Sequence, residues 1–184
     1  MIDFRQETHK YLVDEVEYPG VTQILRDCGI IDITWYTDET AQRGSFVHDC
    51  LKLIDQGTPA VLLEYGEDIE GYINAYLQFK KDAQYKIEAI EEPLCSQEYG
   101  FAGTPDRICE LNGKSCILDI KTGQKQEWHG AQLSAYKMLH GDDQGVLRGL
   151  YLNKDGKYRL ESFKDSEYRN LFLSALTIYQ WKKR

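Results

Sequence analysis

The sequence predicts an α+β (mixed α/β) domain. Three observations predict it: apolar residues at helical spacing early and late in the chain, a middle stretch of short β-type segments cut by turn dipeptides, and one more helix between that stretch and a final hairpin. Residues 11–16 read as a short extended element. Tyr18-Pro19-Gly20-Val21-Thr22 follows as a turn, with Thr22 placed to cap a brief helix carrying Ile24 and Leu25. From about 40 to 55, Val47, Cys50, Leu51 and Ile54 recur at helical intervals. A second helix over about 67–83 sets Ile69, Tyr72, Ile73, Tyr76 and Leu77 on one stripe.

The middle changes character. Segments 87–98, 101–111 and 114–121 are separated by Tyr99-Gly100 and Asn112-Gly113, both strong turn signals, and predict a three-stranded antiparallel meander. Residues 128–140 are helical, and 146–152 with 157–163 form a hairpin around Asn153-Lys154-Asp155-Gly156. An amphipathic helix over about 165–182 closes the chain, carrying Tyr168, Leu171, Phe172, Ala175, Leu176 and Tyr179. With 184 residues, scattered prolines and no linker or repeat, a single domain over 1–184 is expected.

Bulk composition narrows the classes further. Apolar runs are a few residues long, far short of the roughly 20 that span a bilayer. Asp3, Arg5, Glu7 and Lys10 with no apolar run behind them do not make a secretory or transit signal, so a soluble cytoplasmic protein is expected. Five cysteines, Cys28, Cys50, Cys95, Cys109 and Cys116, are odd in number and lack a C-x-x-C pair, which argues against a disulfide framework or zinc knuckle. The net charge of −8 does not suggest a protein that coats nucleic acid nonspecifically, because such affinity comes from lysine and arginine displacing counterions. Any DNA contact must be local and helped by divalent cations.

The most informative segment is Ile117-Leu118-Asp119-Ile120-Lys121-Thr122-Gly123. Strand side chains alternate, so Asp119 and Lys121 emerge on one face while Leu118 and Ile120 enter the core. A carboxylate and an amine side by side suit metal-assisted hydrolysis: the acid fixes the ion, and the lysine orients water and offsets phosphate charge. Alone the signal is weak, since chance gives about 2 acid-x-Lys triplets in this composition, and Asp155-Gly156-Lys157 is one in a turn. Context strengthens it. Gly103-Thr104-Pro105-Asp106-Arg107-Ile108 lies on the preceding strand, where Asp106 can face Asp119 across the sheet.

Pro105-Asp106 followed by Asp119-Ile120-Lys121 resembles the PD-(D/E)XK nuclease superfamily. Arg43-Gly44-Ser45-Phe46-Val47-His48, Ala131-Gln132-Leu133-Ser134-Ala135-Tyr136 and Tyr18-Pro19-Gly20-Val21-Thr22 are similar to elements of its RecB-like exonuclease branch, the one with mitochondrial genome-maintenance and phage exonucleases. Gly20 stands where that group usually has serine. The resemblance implies a restriction-endonuclease-like core: a central mixed sheet with the meander, a crossover helix and further strands, flanked by helices. It also implies a metal-dependent DNA exonuclease leaving 5′-phosphates. Mg²⁺ or Mn²⁺ would be held by His48, Asp106, Asp119 and the Ile120 carbonyl, with Lys121 positioning the water.

Glu98, before the Tyr99-Gly100 turn, is a further candidate catalytic acid. Gln132 and Tyr136, four apart on one helix face, are expected to touch the substrate phosphate or support Lys121, and Gly44 to leave room beside His48. Arg43 and Arg107 are candidate phosphate contacts through their guanidinium forks. No cysteine follows Cys116, so the iron–sulfur cluster of some relatives is not expected. No Gly-x-x-x-x-Gly-Lys-Ser/Thr loop is present, so the protein must act on linear ends or single strands of DNA, or borrow a helicase or single-strand-binding partner. A bacterial or phage role in recombination, repair or replication follows by analogy. The alternatives are an endonuclease of the same fold and an inactive relative that binds DNA or protein.

Overall fold

The computed structural model describes residues 2–5, 10–32 and 37–183. A small sheet comes first: β1 (Ile2–Arg5), β2 (Lys10–Val13) and β3 (Val16–Tyr18), all antiparallel. Asp14 and Glu15 close the β2–β3 hairpin at φ 49 and φ 69, the paired left-handed geometry of a tight hairpin turn. The extended element expected over 11–16 is therefore one strand, the turn and the start of the next.

Helices α1 (Val21–Asp27), α2 (Asp38–Asp55) and α3 (Glu67–Asp82) follow. Gly20, not Thr22, is the N-cap of α1, so Thr22 falls inside the first turn with its hydroxyl available for another partner. Then come β4 (Tyr85–Ile90), β5 (Leu94–Ser96), β6 (Phe101–Gly103), β7 (Arg107–Leu111) and β8 (Lys114–Lys121). Last are α4 (Trp128–His140), β9 (Val146–Leu152), β10 (Tyr158–Phe163) and α5 (Asp165–Lys182).

The central sheet runs β10-β9-β8-β7-β4. Strands β4, β7 and β8 make the expected antiparallel meander, α4 crosses over, and β9 lies parallel to β8. Two of the expected meander arms are broken, however. Glu91 at φ 47 with Pro93 ends one arm, Thr104-Pro105 interrupts the other, and the detached β5 and β6 pair as a separate two-stranded sheet.

Alternation along the central strands divides the interior in two. Ile108, Ile117, Leu147 and Phe163 pack with α1, α4 and α5, whereas Cys109, Leu111, Cys116, Leu118, Ile120 and Leu150 pack with α2 and α3. The result is a mixed sheet flanked by helices in an α+β domain. Among the described residues, no helix is long and apolar enough to cross a membrane.

Candidate active site

The functional candidates gather where the ladder between β7 and β8 stops. Its last pair is Arg107 with Leu118. Pro105 has no N–H to extend it, and Asp106, one step beyond the ladder, puts its carboxylate where a strand would continue. Asp106 Oδ2 accepts the Ile120 N–H at 2.6 Å. The N–H and C=O of a strand residue point to the same side, so the Ile120 carbonyl faces the same gap. Asp119 and Lys121, of opposite parity to Leu118 and Ile120, face α4.

From α2, His48 reaches the other side of Asp106, with Nδ1 3.4 Å from Oδ1. Burial alone would push the His48 imidazole down, but the Asp106 carboxylate beside it raises its pKa. Asp106 responds in the opposite sense. Burial opposes its charge, yet His48, Lys121 and the Ile120 amide hold its carboxyl below the usual range. Asp119, only 3% exposed, is pushed upward by burial and by the Asp106 charge, against the pull of Lys121. Two acids from neighbouring strands are thus driven apart in proton affinity, an arrangement typical of reactive sites.

Lys121 Nζ lies 2.5 Å from Asp119 Oδ2, an ion contact that lacks hydrogen-bond alignment and leaves that buried oxygen without a hydrogen bond. Its aligned partner is Gln132 Oε1 on α4, at 3.0 Å. The amide nitrogen of Gln132 donates to Thr22 Oγ1 at 3.2 Å and to the Tyr136 hydroxyl at 3.1 Å, so both of its hydrogens are engaged. These bonds set Gln132 behind the lysine and Tyr136 behind Gln132. Gly103 permits the packing, since a Cβ there would come within 2.8 Å of the Tyr136 ring. The Trp128 ring, 5.5 Å from Nζ, lies against the same ammonium. Beneath it His129 accepts at Nδ1 from the Gln126 N–H, with the Tyr151 hydroxyl 2.7 Å away, and burial depresses its pKa to about 3.

A cavity of about 730 Å³ opens beside this cluster, lined by Thr22, His48, Lys52, Glu91, Asp106 and Tyr136 among others. Three expected site residues lie elsewhere. Glu98 is exposed in the turn of the β5–β6 hairpin, at the end opposite Gly103, because the break after β4 swings that hairpin away. Arg107 is 0% exposed: strand parity turns it toward α2 and α3, where Nε donates to Asp55 Oδ2 at 2.7 Å and Nη1 to the Asp106 carbonyl at 2.6 Å. It is a core residue that no substrate phosphate can reach. Arg43 stacks over the Tyr72 ring of α3 at 5.9 Å and is not part of the cavity wall.

Gly44 is not required for space, since a Cβ there would make ordinary contact with Thr122 at 3.6 Å. Sequence reasoning missed Thr22 as a partner of Gln132, and it missed Glu91 and Lys52. The only outward signal of Lys52 is its position four residues after His48.

Among the described residues, no three His, Cys, Asp or Glu side chains come together as a group able to hold a metal. The donor types nevertheless fit a hard divalent cation: an imidazole, the buried Asp119 carboxylate, the partly exposed Asp106 carboxylate, and a carbonyl facing the same gap.

No family model and no curated protein matches the chain. Among solved structures, the crystal structure of SSO0001 is similar, with 17% identity, 84% of each chain covered and a TM-score of 0.30.

Proposed function

We propose that this protein is a metal-dependent deoxyribonuclease of the RecB-like PD-(D/E)XK type, removing nucleotides from DNA ends on a restriction-endonuclease-like core. One observation carries the reading. Asp106 and Asp119 come from adjacent strands to one end of the sheet, with His48 at the first acid and Lys121 at the second. A cluster that only stabilised the fold would be closed off, whereas here His48 and Asp106 line an open cavity.

His48, Asp106, Asp119 and the Ile120 carbonyl would hold Mg²⁺ or Mn²⁺. When bound, such an ion supplies Lewis-acid polarisation of the phosphate and a more acidic water. Lys121, oriented by Gln132 and Trp128, sets its ammonium against the attacking water and offsets charge gathering on the phosphate. Asp106, fixed by the Ile120 amide, stays ionised, while Asp119 has the higher proton affinity of the two acids. Gln132, itself held by the Tyr136 hydroxyl, fixes the direction of the lysine's ammonium.

Release of nucleotides from end-labelled linear DNA with Mg²⁺ or Mn²⁺ tests the reading, with closed circular DNA as control. Loss of linear DNA with circles spared is expected. Cutting of circles would make it an endonuclease, and no metal-dependent cleavage of any DNA would leave a binding protein.

A further inference from the structure

Lys52 follows His48 by four residues on α2, so the two side chains share a helix face, and both line the cavity. Lys52 Nζ donates to Glu91 Oε2 at 2.7 Å, with side chains 32% and 20% exposed. Glu91 holds left-handed backbone at φ 47, a conformation costly for a residue with a Cβ and concentrated at functional positions. Its N–H donates to the Asp106 carbonyl at 3.1 Å, so the main chain ties Glu91 to the residue whose carboxylate meets His48. The strained residue thus carries its carboxylate to the cavity wall and anchors a lysine there.

The charge balance says what that lysine is for. Asp49, Glu91 and Asp106 line the same cavity, where Lys10 is paired with Glu17 and Arg26 lies against Asp27, and a polyanion entering it meets repulsion unless cations are placed along its path. Lys121 is engaged with Asp119 and Gln132. An ammonium has three donors and no acceptor, and Glu91 takes one from Lys52. Among the described residues the other two have no hydrogen-bond partner, which suits the non-bridging oxygens of a phosphodiester.

Resting on the nuclease reading of this cavity, we propose that Lys52, oriented by Glu91, forms a second phosphate subsite. It grips the phosphodiester next to the one that meets Asp106 and Lys121. Lys52 touches the substrate; Glu91 is a positioning residue.

The test is binding of a fluorescein-labelled single-stranded oligothymidylate in EDTA, titrated across salt concentrations, alongside cleavage of the same strand with Mg²⁺ or Mn²⁺. Lys52→Gln should weaken binding and reduce the slope of log affinity against log salt by about 0.7, the loss of one phosphate contact on a single strand. Lys52→Arg should keep the wild-type slope. Glu91→Asp should weaken binding about threefold while keeping the slope, since every charge remains but the shorter carboxylate holds the cation less well. A Lys52→Gln slope equal to wild type, with the strand still cut, overturns the subsite and leaves the nuclease reading standing. The reduced slope without metal-dependent cleavage upholds the subsite and overturns hydrolysis. Failure of the wild type to bind the strand in EDTA overturns the subsite, and the cleavage arm alone then decides the nuclease reading. If Lys52→Gln does not fold, as judged by circular dichroism, Glu91→Asp decides: binding equal to wild type overturns the subsite.

Discussion

Two groups of buried charges sit one residue apart in the chain, on opposite faces of the sheet. On the α2/α3 face, Arg107 meets Asp55, which also receives Lys80 at 2.7 Å and the Tyr76 hydroxyl at 2.5 Å. On the α4 face, Asp106 and Asp119 share His48 and Lys121, and their proton affinities move in opposite directions. The first group gives its central carboxylate more donors than charge balance alone requires, and Asp55 and Arg107 are closed to water, with only Lys80 partly exposed at the rim. The second opens on a cavity through His48 and Asp106. A closed polar network rigidifies a fold, whereas one that opens on a cavity holds capacity for a ligand, at some cost in stability.

That contrast can be broken from either side. Asp55→Ala should destabilise the protein by about 3–5 kcal/mol in urea unfolding, because it strands the Arg107 guanidinium in the core. A loss below about 1 kcal/mol would remove the structural role given to that cluster. Lys121→Ala should lower nuclease turnover about a thousandfold, roughly 4 kcal/mol of barrier, with little change in the unfolding midpoint. Equal damage to turnover and folding would blur the distinction between the clusters.

Acid titration gives a middle-sized effect. His129 is held neutral with its folded pKa near 3, against 6.5 when unfolded, so it takes up its proton only on unfolding. Its contribution is therefore fully present above about pH 6.5 and declines by about 1.4 kcal/mol per pH unit below it. Urea midpoints at pH 7.5, 6.5, 5.5 and 4.5 should fall more steeply for wild type than for His129→Gln. Parallel curves would mean that the folded imidazole takes the proton. The smallest effect expected is a gain. Asp119→Asn removes one of two crowded acids and should raise stability by about 1 kcal/mol while abolishing turnover. A loss of stability would show Asp119 to be a structural partner of Lys121.

What the sequence made legible follows the strength of its periodicity. Helices α4 and α5 were readable to their ends, since apolar spacing is dense and Gly141 at φ 77 stops α4. The break of the meander was hidden because β-type composition continues across Glu91 and Thr104-Pro105, and left-handed backbone at a glutamate leaves no mark in composition. Asp106, Asp119 and Lys121 could be brought together from strand parity alone. Arg107 was misleading for the opposite reason. Beside a candidate acid its guanidinium suggests phosphate, while the partner that fixes it, Asp55, lies 52 residues away on a helix. Glu98 and Glu91 flank the same short strand, and only the bend decides which of them meets the cavity.

The hydrogen bond between Gln132 and Thr22 spans 110 positions of sequence, and Gln23 beside it bonds the Tyr179 hydroxyl at 3.2 Å, across 156. Local helices and the β7–β8 hairpin can form early, but these closures come at the end of folding, when the longest loops have shut. The support behind Lys121 is thus among the last parts of the molecule to assemble. A partly folded chain would carry its acids and its lysine without holding them in order, so competence arrives only after both ends of the protein have docked.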